Sequence, residues 1–252
     1  MTFKIINLIT LIVSGILISN PILSGQQQTK NSQFKTGLVN DLDNLDIETG
    51  DLVLFQSKTF NGIVTQIGTL SPYTHCAIVI KNPDGSIWIT HSTDNDYNGN
   101  RIPIIHESGG RPGIILTKLE DMFLSINGAK SGFYHHIWIR KFDESWAERP
   151  KREDILEYYE NHKSFPFTKS ALRFTLSAFD LKLFGYDLLS LPDDETYFCS
   201  EYVHKLLKEL GYPIDKKQKD NEYTPKDIRN LEPYYDMKPV VFQFKDGMYM
   251  VK

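Results

Sequence analysis

Cys199 lies in Thr196-Tyr197-Phe198-Cys199-Ser200-Glu201-Tyr202-Val203, where a loop is predicted to turn into a helix. The backbone N–H groups of a helix's first turn have no partner within the helix, and the helix dipole favours negative charge there. Both effects lower a thiol's pKa and favour the thiolate, which is the nucleophilic form. Attack on an acyl carbon also needs a base within hydrogen-bond reach and a group to orient that base. An upstream hairpin offers His75 and His91, and imidazole suits both tasks because its ordinary pKa is about 6.5. These residues predict a cysteine hydrolase with Cys199 as nucleophile, His75 as base and later proton donor, and His91 as the orienting residue.

The hairpin is read from two apolar runs, Cys76 to Ile80 and Ile87 to Thr90, separated by Asn82-Pro83-Asp84-Gly85. Pro fixes φ, Asp bonds the backbone and Gly tolerates positive φ, so the segment has turn chemistry. Side chains alternate along a strand, so His75 shares a face with Ala77 and Val79, and His91 shares one with Ile87 and Ile89. Across such a turn the two histidines face each other or lie diagonally, with Cβ atoms roughly 5 to 8 Å apart. Glu107 or Asp94 could do the orienting work in place of His91. The same alternation points Cys76 away from His75, so a Cys199 working with His75 is expected not to reach it. Cys76 is then a small buried residue, and no disulfide is expected. His75, His91 and Cys199 have ligand types that suit zinc. Nothing at close metal-ligand spacing accompanies them, so neither metal nor other cofactor is expected. His106, His135 and His136 read as loop and strand residues without chemistry.

Further elements must hold these residues. Asp51 to Gln56 reads as a buried strand, and Thr59 to Leu70 as a short helix stopped by Ser71-Pro72. Residues 94–112 are Gly-, Asn- and Asp-rich and read as a loop. Strands are predicted at 113–117, 135–140 and 240–244, a helical turn at 119–124, and a helix from Arg152 to Asn161. Residues 164–189 are apolar and Phe-rich, with near-helical spacing, and suggest a helical insertion beside the site or a membrane-facing flap. After Cys199, the residues Val203, Leu206, Leu207 and Leu210 form one apolar face, ended by Gly211. Thr224-Pro225 reads as a cap with Pro at the first helical position.

This order of motifs resembles the permuted papain-like hydrolases, an NlpC-related superfamily that includes YiiX-type amidases and the lecithin retinol acyltransferase group. The resemblance runs from about Gly50 to Ile228. It rests on Glu48-Thr49-Gly50-Asp51-Leu52-Val53-Leu54-Phe55, Ser71-Pro72-Tyr73-Thr74-His75-Cys76-Ala77-Ile78-Val79, Tyr186-Asp187-Leu188-Leu189, Tyr197-Phe198-Cys199-Ser200-Glu201-Tyr202-Val203 and Thr224-Pro225-Lys226-Asp227-Ile228. In that group the histidine strand precedes the cysteine helix, as His75 precedes Cys199 here. The resemblance implies an α+β, permuted papain-like fold: an antiparallel sheet or small barrel packed on helices, with the nucleophile at a helix N-terminus. It also places Tyr73 at the substrate pocket and the backbone N–H of Cys199 as oxyanion donor. At the His91 position YiiX-type members tend to carry Glu, whereas the acyltransferase branch tends to carry His. The implied reaction is cleavage of an amide or peptide bond through a Cys thioester, on a small peptide or cell-wall fragment. The alternatives are a lipid acyl hydrolase or acyltransferase, and an inactive binding module on the same fold.

Composition is that of a globular chain, 40% hydrophobic and 24% charged, and a formal net charge of −4 without a basic stripe argues against nucleic-acid binding. Residues 1–25 carry Lys4, an apolar run from Ile5 to Ile18, a break at Ser19-Asn20-Pro21 and the small pair Ser24-Gly25. That layout predicts a signal peptide or an N-terminal anchor, hence a secreted or periplasmic protein that could associate with a membrane through this segment. Residues 26–45 read as a polar linker and 46–252 as the hydrolase domain.

Overall fold

The computed structural model describes residues 42, 45–58, 60–93, 96–97, 100–101, 113–123, 134–167, 182–183, 186–187, 197–214, 220, 223–245 and 248–251. All belong to the unit Phe34–Lys252; the unit Met1–Gln33, and with it the expected signal peptide or anchor, lies outside them. Among the described residues no helix is long and apolar enough to cross a membrane.

The fold is α+β, built on a 7-stranded sheet in the order β11-β10-β7-β1-β2-β3-β6. Its strands are β1 (Leu52–Gln56), β2 (His75–Lys81), β3 (Ile87–Thr93), β6 (Gly113–Lys118), β7 (His136–Arg140), β10 (Pro239–Lys245) and β11 (Met248–Val251), and every pairing is antiparallel. The central strands are buried on both sides, which explains why Leu52-Val53-Leu54-Phe55 and Cys76-Ala77-Ile78-Val79-Ile80 are unbroken apolar runs. Leu52, Leu54, Cys76, Ile78 and Ile80 face a core built with helices α2 (Arg152–His162), α3 (Cys199–Glu209) and α4 (Pro225–Arg229). Val53, Phe55, Ala77, Val79, Ile89 and Ile137 face a second core, closed by a short 3-10 turn at Leu119–Phe123. Leu42 is buried in this second core and Leu45 packs on it, so the end of the stretch read as a polar linker already belongs to the fold.

The β2–β3 turn forms as its residues dictate. Gly85 has φ +84° and donates its N–H to Asn82 O at 2.9 Å, while Asp84 Oδ1 accepts from Ser86 N at 2.9 Å. Helix α1 (Phe60–Thr69) follows β1 as expected. Where a helical insertion was expected, the described residues are not helical: Gly113 bridges Pro166, Phe167 bridges Tyr197, and β8 (Lys182–Leu183) pairs with β9 (Tyr186–Asp187). The rest of 164–189 lies outside the described residues. Among the described residues of the predicted loop at 94–112, β4 (Asp96–Tyr97) pairs with β5 (Asn100–Arg101).

Asp51, fully buried, ties the start of β1 to the rest. It accepts from Arg149 Nη1 at 2.7 Å, Phe142 N at 3.0 Å and Glu48 N at 3.0 Å. A buried carboxylate persists only with such partners.

Candidate active site

The ladder between β2 and β3 runs from Lys81↔Ile87 to Ile78↔Thr90 and ends there, although β3 stays paired with β6 as far as Thr93↔Gly113. Beyond Ile78 the two strands part, and the imidazoles stand at this opening. Nε2 of His75 lies 2.6 Å from Nδ1 of His91, both rings buried. The hairpin was expected to place them facing or diagonally, and their rings meet. Thr74 fixes the start of β2: its N–H and hydroxyl both donate to Phe55 O, at 2.7 and 3.0 Å, and its hydroxyl accepts from Ser57 N at 2.9 Å. Behind His75, Phe55 sits with ring centroids 5.4 Å apart and Tyr134 stacks at 6.4 Å.

Cys199 is the first residue of α3 and 4% exposed. The first helical bond runs from Tyr202 N to Phe198 O at 2.9 Å, so the N–H groups of Cys199, Ser200 and Glu201 have no carbonyl four residues back within the helix. Glu201 reaches back to Phe198 N at 3.4 Å, which supports the turn that presents the thiol. The inward face holds Cys199, Tyr202, Val203, Leu206 and Leu207. Gly211, at φ +85°, ends the helix by donating to Lys208 O at 3.0 Å, and Tyr212 N donates to Leu207 O at 3.1 Å.

Two hydroxyls of β3 lock α3 in place. Thr90 Oγ1 meets Tyr202 OH at 2.8 Å, and Ser92 Oγ donates to Tyr197 O at 2.8 Å. They flank His91 and point to the opposite face from it, so one strand holds the nucleophile's helix on one side and the base on the other. These contacts were not anticipated from sequence. The available signal was a Thr-His-Ser run with hydroxyls at alternate positions in an otherwise apolar strand.

The side chains of His75 and Cys76 both act electrostatically on the Cys199 thiol. The expectation was that a thiol working with His75 would not reach Cys76, yet the two thiols act on each other. That argument assumed a regular ladder, in which adjacent side chains are separated by the sheet. Here His75 is the first residue of β2, at the end of the strand, and Cys199 of α3 belongs to the same core as Cys76. Both cysteines are free and buried.

The two thiols have opposite electrostatic fates. The S–H of Cys76 holds Cys199 well below the ordinary thiol range, burial opposes this, and the charge and hydrogen bond of His75 add to the lowering. Cys76 is pushed well above that range by its own burial and then by Cys199. His91 is pushed well below the ordinary imidazole value, by burial first and then by His75, so it is neutral at neutral pH. Its Nε2 has no hydrogen-bond partner among the described residues.

Tyr73 is half-buried and meets Trp138 edge-on with ring centroids 5.0 Å apart. Cys76 and Trp138 both pair with Leu54 of β1, so Trp138 lies two strands from Cys76 on the same face of the sheet. His136 stacks on Trp138 at 5.2 Å and meets Gln56 Oε1 at 2.7 Å, which makes it part of a surface beside the site. Asp94, His106 and Glu107 lie outside the described residues. Among the described residues no group of three or more His, Cys, Asp or Glu is placed to hold a metal ion.

No protein-family model and no curated protein matches the chain. Among solved structures it is similar to one described as the metalloprotein YiiX from Escherichia coli O157:H7, at 14% identity and TM-score 0.43, over 69% of this chain and 73% of that one. Similarity at that level says nothing about chemistry.

Proposed function

We propose that this chain is a thiol hydrolase that cleaves an amide or peptide bond through a thioester on Cys199. One observation carries the reading: Cys199 opens α3 where His75, whose Nε2 lies 2.6 Å from His91, lowers the pKa of its thiol. In the proposed cycle the thiolate attacks the carbonyl carbon, and the backbone N–H of Cys199 donates to the oxyanion. His75 gives its proton to the leaving nitrogen, and a water activated by His75 then hydrolyses the thioester. The permuted papain-like arrangement and kinship with YiiX-type enzymes belong to the same proposal, supported by the order His75, His91, Cys199 and by the antiparallel sheet. Export is proposed from residues 1–25 alone, and N-terminal sequencing of secreted protein checks it.

A second reading, a lipid acyl hydrolase or acyltransferase, is favoured by one surface feature. Ile63 and Ile67 of α1 and Leu70 just after it are 47%, 63% and 84% exposed, on the segment that leads into Tyr73 and His75. An exposed apolar stripe there suits a substrate held in a lipid surface. Incubation with cell-wall stem peptides and with phospholipid vesicles, followed by mass measurement of acyl adducts on Cys199, separates the two. His75→Ala should slow iodoacetamide labelling of Cys199 at pH 7 by about tenfold or more, since an unassisted thiol is only a few per cent thiolate there. If Cys199 resists an electrophile near pH 7 and gains no acyl group from either substrate class, the chain is a binding module instead.

A further inference from the structure

We propose that Arg140 is a carboxylate-binding residue: its guanidinium receives the free C-terminal carboxylate of the peptide that Cys199 attacks. The inference rests on the thiol-hydrolase reading and adds a specificity to it.

Arg140 is 5% exposed, and its hydrogen bonds leave from one nitrogen. Nη1 donates to Tyr234 O at 2.9 Å, Met237 O at 2.5 Å and Tyr235 O at 3.4 Å, which ties the segment after α4 to β7. Nε is buried and has no hydrogen-bond partner among the described residues. Carbonyls carry no net charge, and no carboxylate is among the groups that act on this cation. Arg149 shows the contrast, with Asp51 Oδ1 at 2.7 Å and Glu144 Oε1 at 2.8 Å. A second cation stands nearby: Arg229, at the end of α4, lies 5.5 Å from the ring centroid of Tyr235, whose carbonyl Arg140 bonds. Burial first, and then the charge of Arg229, lower the pKa of Arg140. A buried cation beside another is costly until an anion joins them. Nε–H and Nη2 form the edge of the planar fork that Nη1 does not use, and such an edge matches the two oxygens of a carboxylate.

The sheet places this edge within a substrate's reach of the nucleophile. Leu52 pairs with both Ile78 and Arg140, and Leu54 with both Cys76 and Trp138, so Arg140 shares a face with Cys76. Cys199 belongs to the core on that face. Arg140 is two strands and two residues from Cys76, about 12 Å at a strand spacing of about 4.8 Å and a rise of about 3.4 Å. About three to four residues of extended peptide cover that span. Trp138 is level with Cys76, and Tyr73 meets its ring edge-on, both half-buried, so aromatic surface flanks the path. Tyr73 is also among the groups that act on Arg140.

The test compares a cell-wall stem tetrapeptide with the same peptide amidated at its C-terminus. Binding is measured by calorimetry on the full Cys199→Ala chain, and turnover on the wild type. The free acid should bind roughly 10- to 100-fold more tightly, with the difference in turnover carried by KM more than by kcat. Arg140→Lys keeps a cation for the carbonyls and loses the fork, so it should shrink the preference to a few-fold, with circular dichroism checking that it folds. If it does not fold, the two peptides on the Cys199→Ala chain decide alone. Equal affinity for the two peptides, or binding of neither, overturns the proposal. So does a folded Arg140→Lys chain that keeps the full preference, or displacement of the peptide by glycerol phosphate at lower concentration than by acetate. A preference for the free acid with no acyl adduct on wild-type Cys199 overturns the hydrolase reading and leaves the carboxylate site standing. An adduct formed without any preference overturns this inference alone.

Discussion

A neutral imidazole in the position of His91 can accept from His75 only if its own proton sits on Nε2, the nitrogen left without a partner among the described residues. An unpaired buried donor costs about 1–3 kcal/mol, and the return is a fixed acceptor for the imidazolium that His75 forms in the proposed cycle. Replacing His91 with Phe keeps the bulk and removes the acceptor. A hydrogen bond to a charged group is worth about 1.5–3 kcal/mol, so thioester formation should slow roughly 10- to 100-fold. The same residue makes stability depend on pH. Its folded pKa lies below the unfolded value of about 6.5, so the unfolded chain binds the extra proton first on acidification. Stability is therefore full above about pH 6.5 and falls as pH drops toward the folded pKa, at about 1.4 kcal/mol per unit. Urea unfolding at pH 7 and pH 5 should reveal this slope in the wild type and a shallower one in His91→Phe; equal slopes would remove His91 as its source.

Among the elements, β3 and α3 matter most, because they fix the nucleophile against the base. Thr90 and Ser92 grip Tyr202 and Tyr197 on one face while His91 holds His75 from the other. Tyr202→Phe leaves the Thr90 hydroxyl buried without this partner and should cost about 1 kcal/mol, measured by denaturant midpoint. A helix less firmly seated should also label more slowly at Cys199 in the folded protein. A change in stability with no change in labelling would show that the tyrosine serves packing alone.

For the whole molecule, the site depends on a knot well away from it. Asp51 is buried at the head of β1, and Arg149 both neutralises it and caps Thr49 O at 2.8 Å. Breaking a buried pair by removing one partner typically costs about 3–5 kcal/mol. Arg149→Met should thus lower global stability by that order, read as a shift in the unfolding midpoint. The pH midpoint for Cys199 labelling in the remaining folded molecules should stay unchanged. A shifted midpoint would mean that the knot also tunes the site.

Several features were legible in the sequence because they depend on neighbours along the chain. Pro83-Asp84-Gly85 sets its turn locally, Gly211 ends α3 through its own backbone freedom, and the spacing of Val203, Leu206 and Leu207 defines a buried face. Period-two alternation likewise put His75 and His91 on one side of a hairpin. The shared core of Cys199 and Cys76 was hidden, because alternation describes a regular ladder and says nothing about which helix packs on it. The grip of Thr90 and Ser92 was hidden for a related reason: hydroxyl partners more than 100 residues away leave no trace in local pattern. Residue types and their spacing were enough to name the groups that could carry the chemistry and the local shape around each of them. Contacts distant along the chain set where β2 and β3 part, after Ile78 and Thr90, and bring Cys199 into the same core as Cys76. Long-range packing of a helix against a sheet sets that point, and no short stretch of chain encodes it.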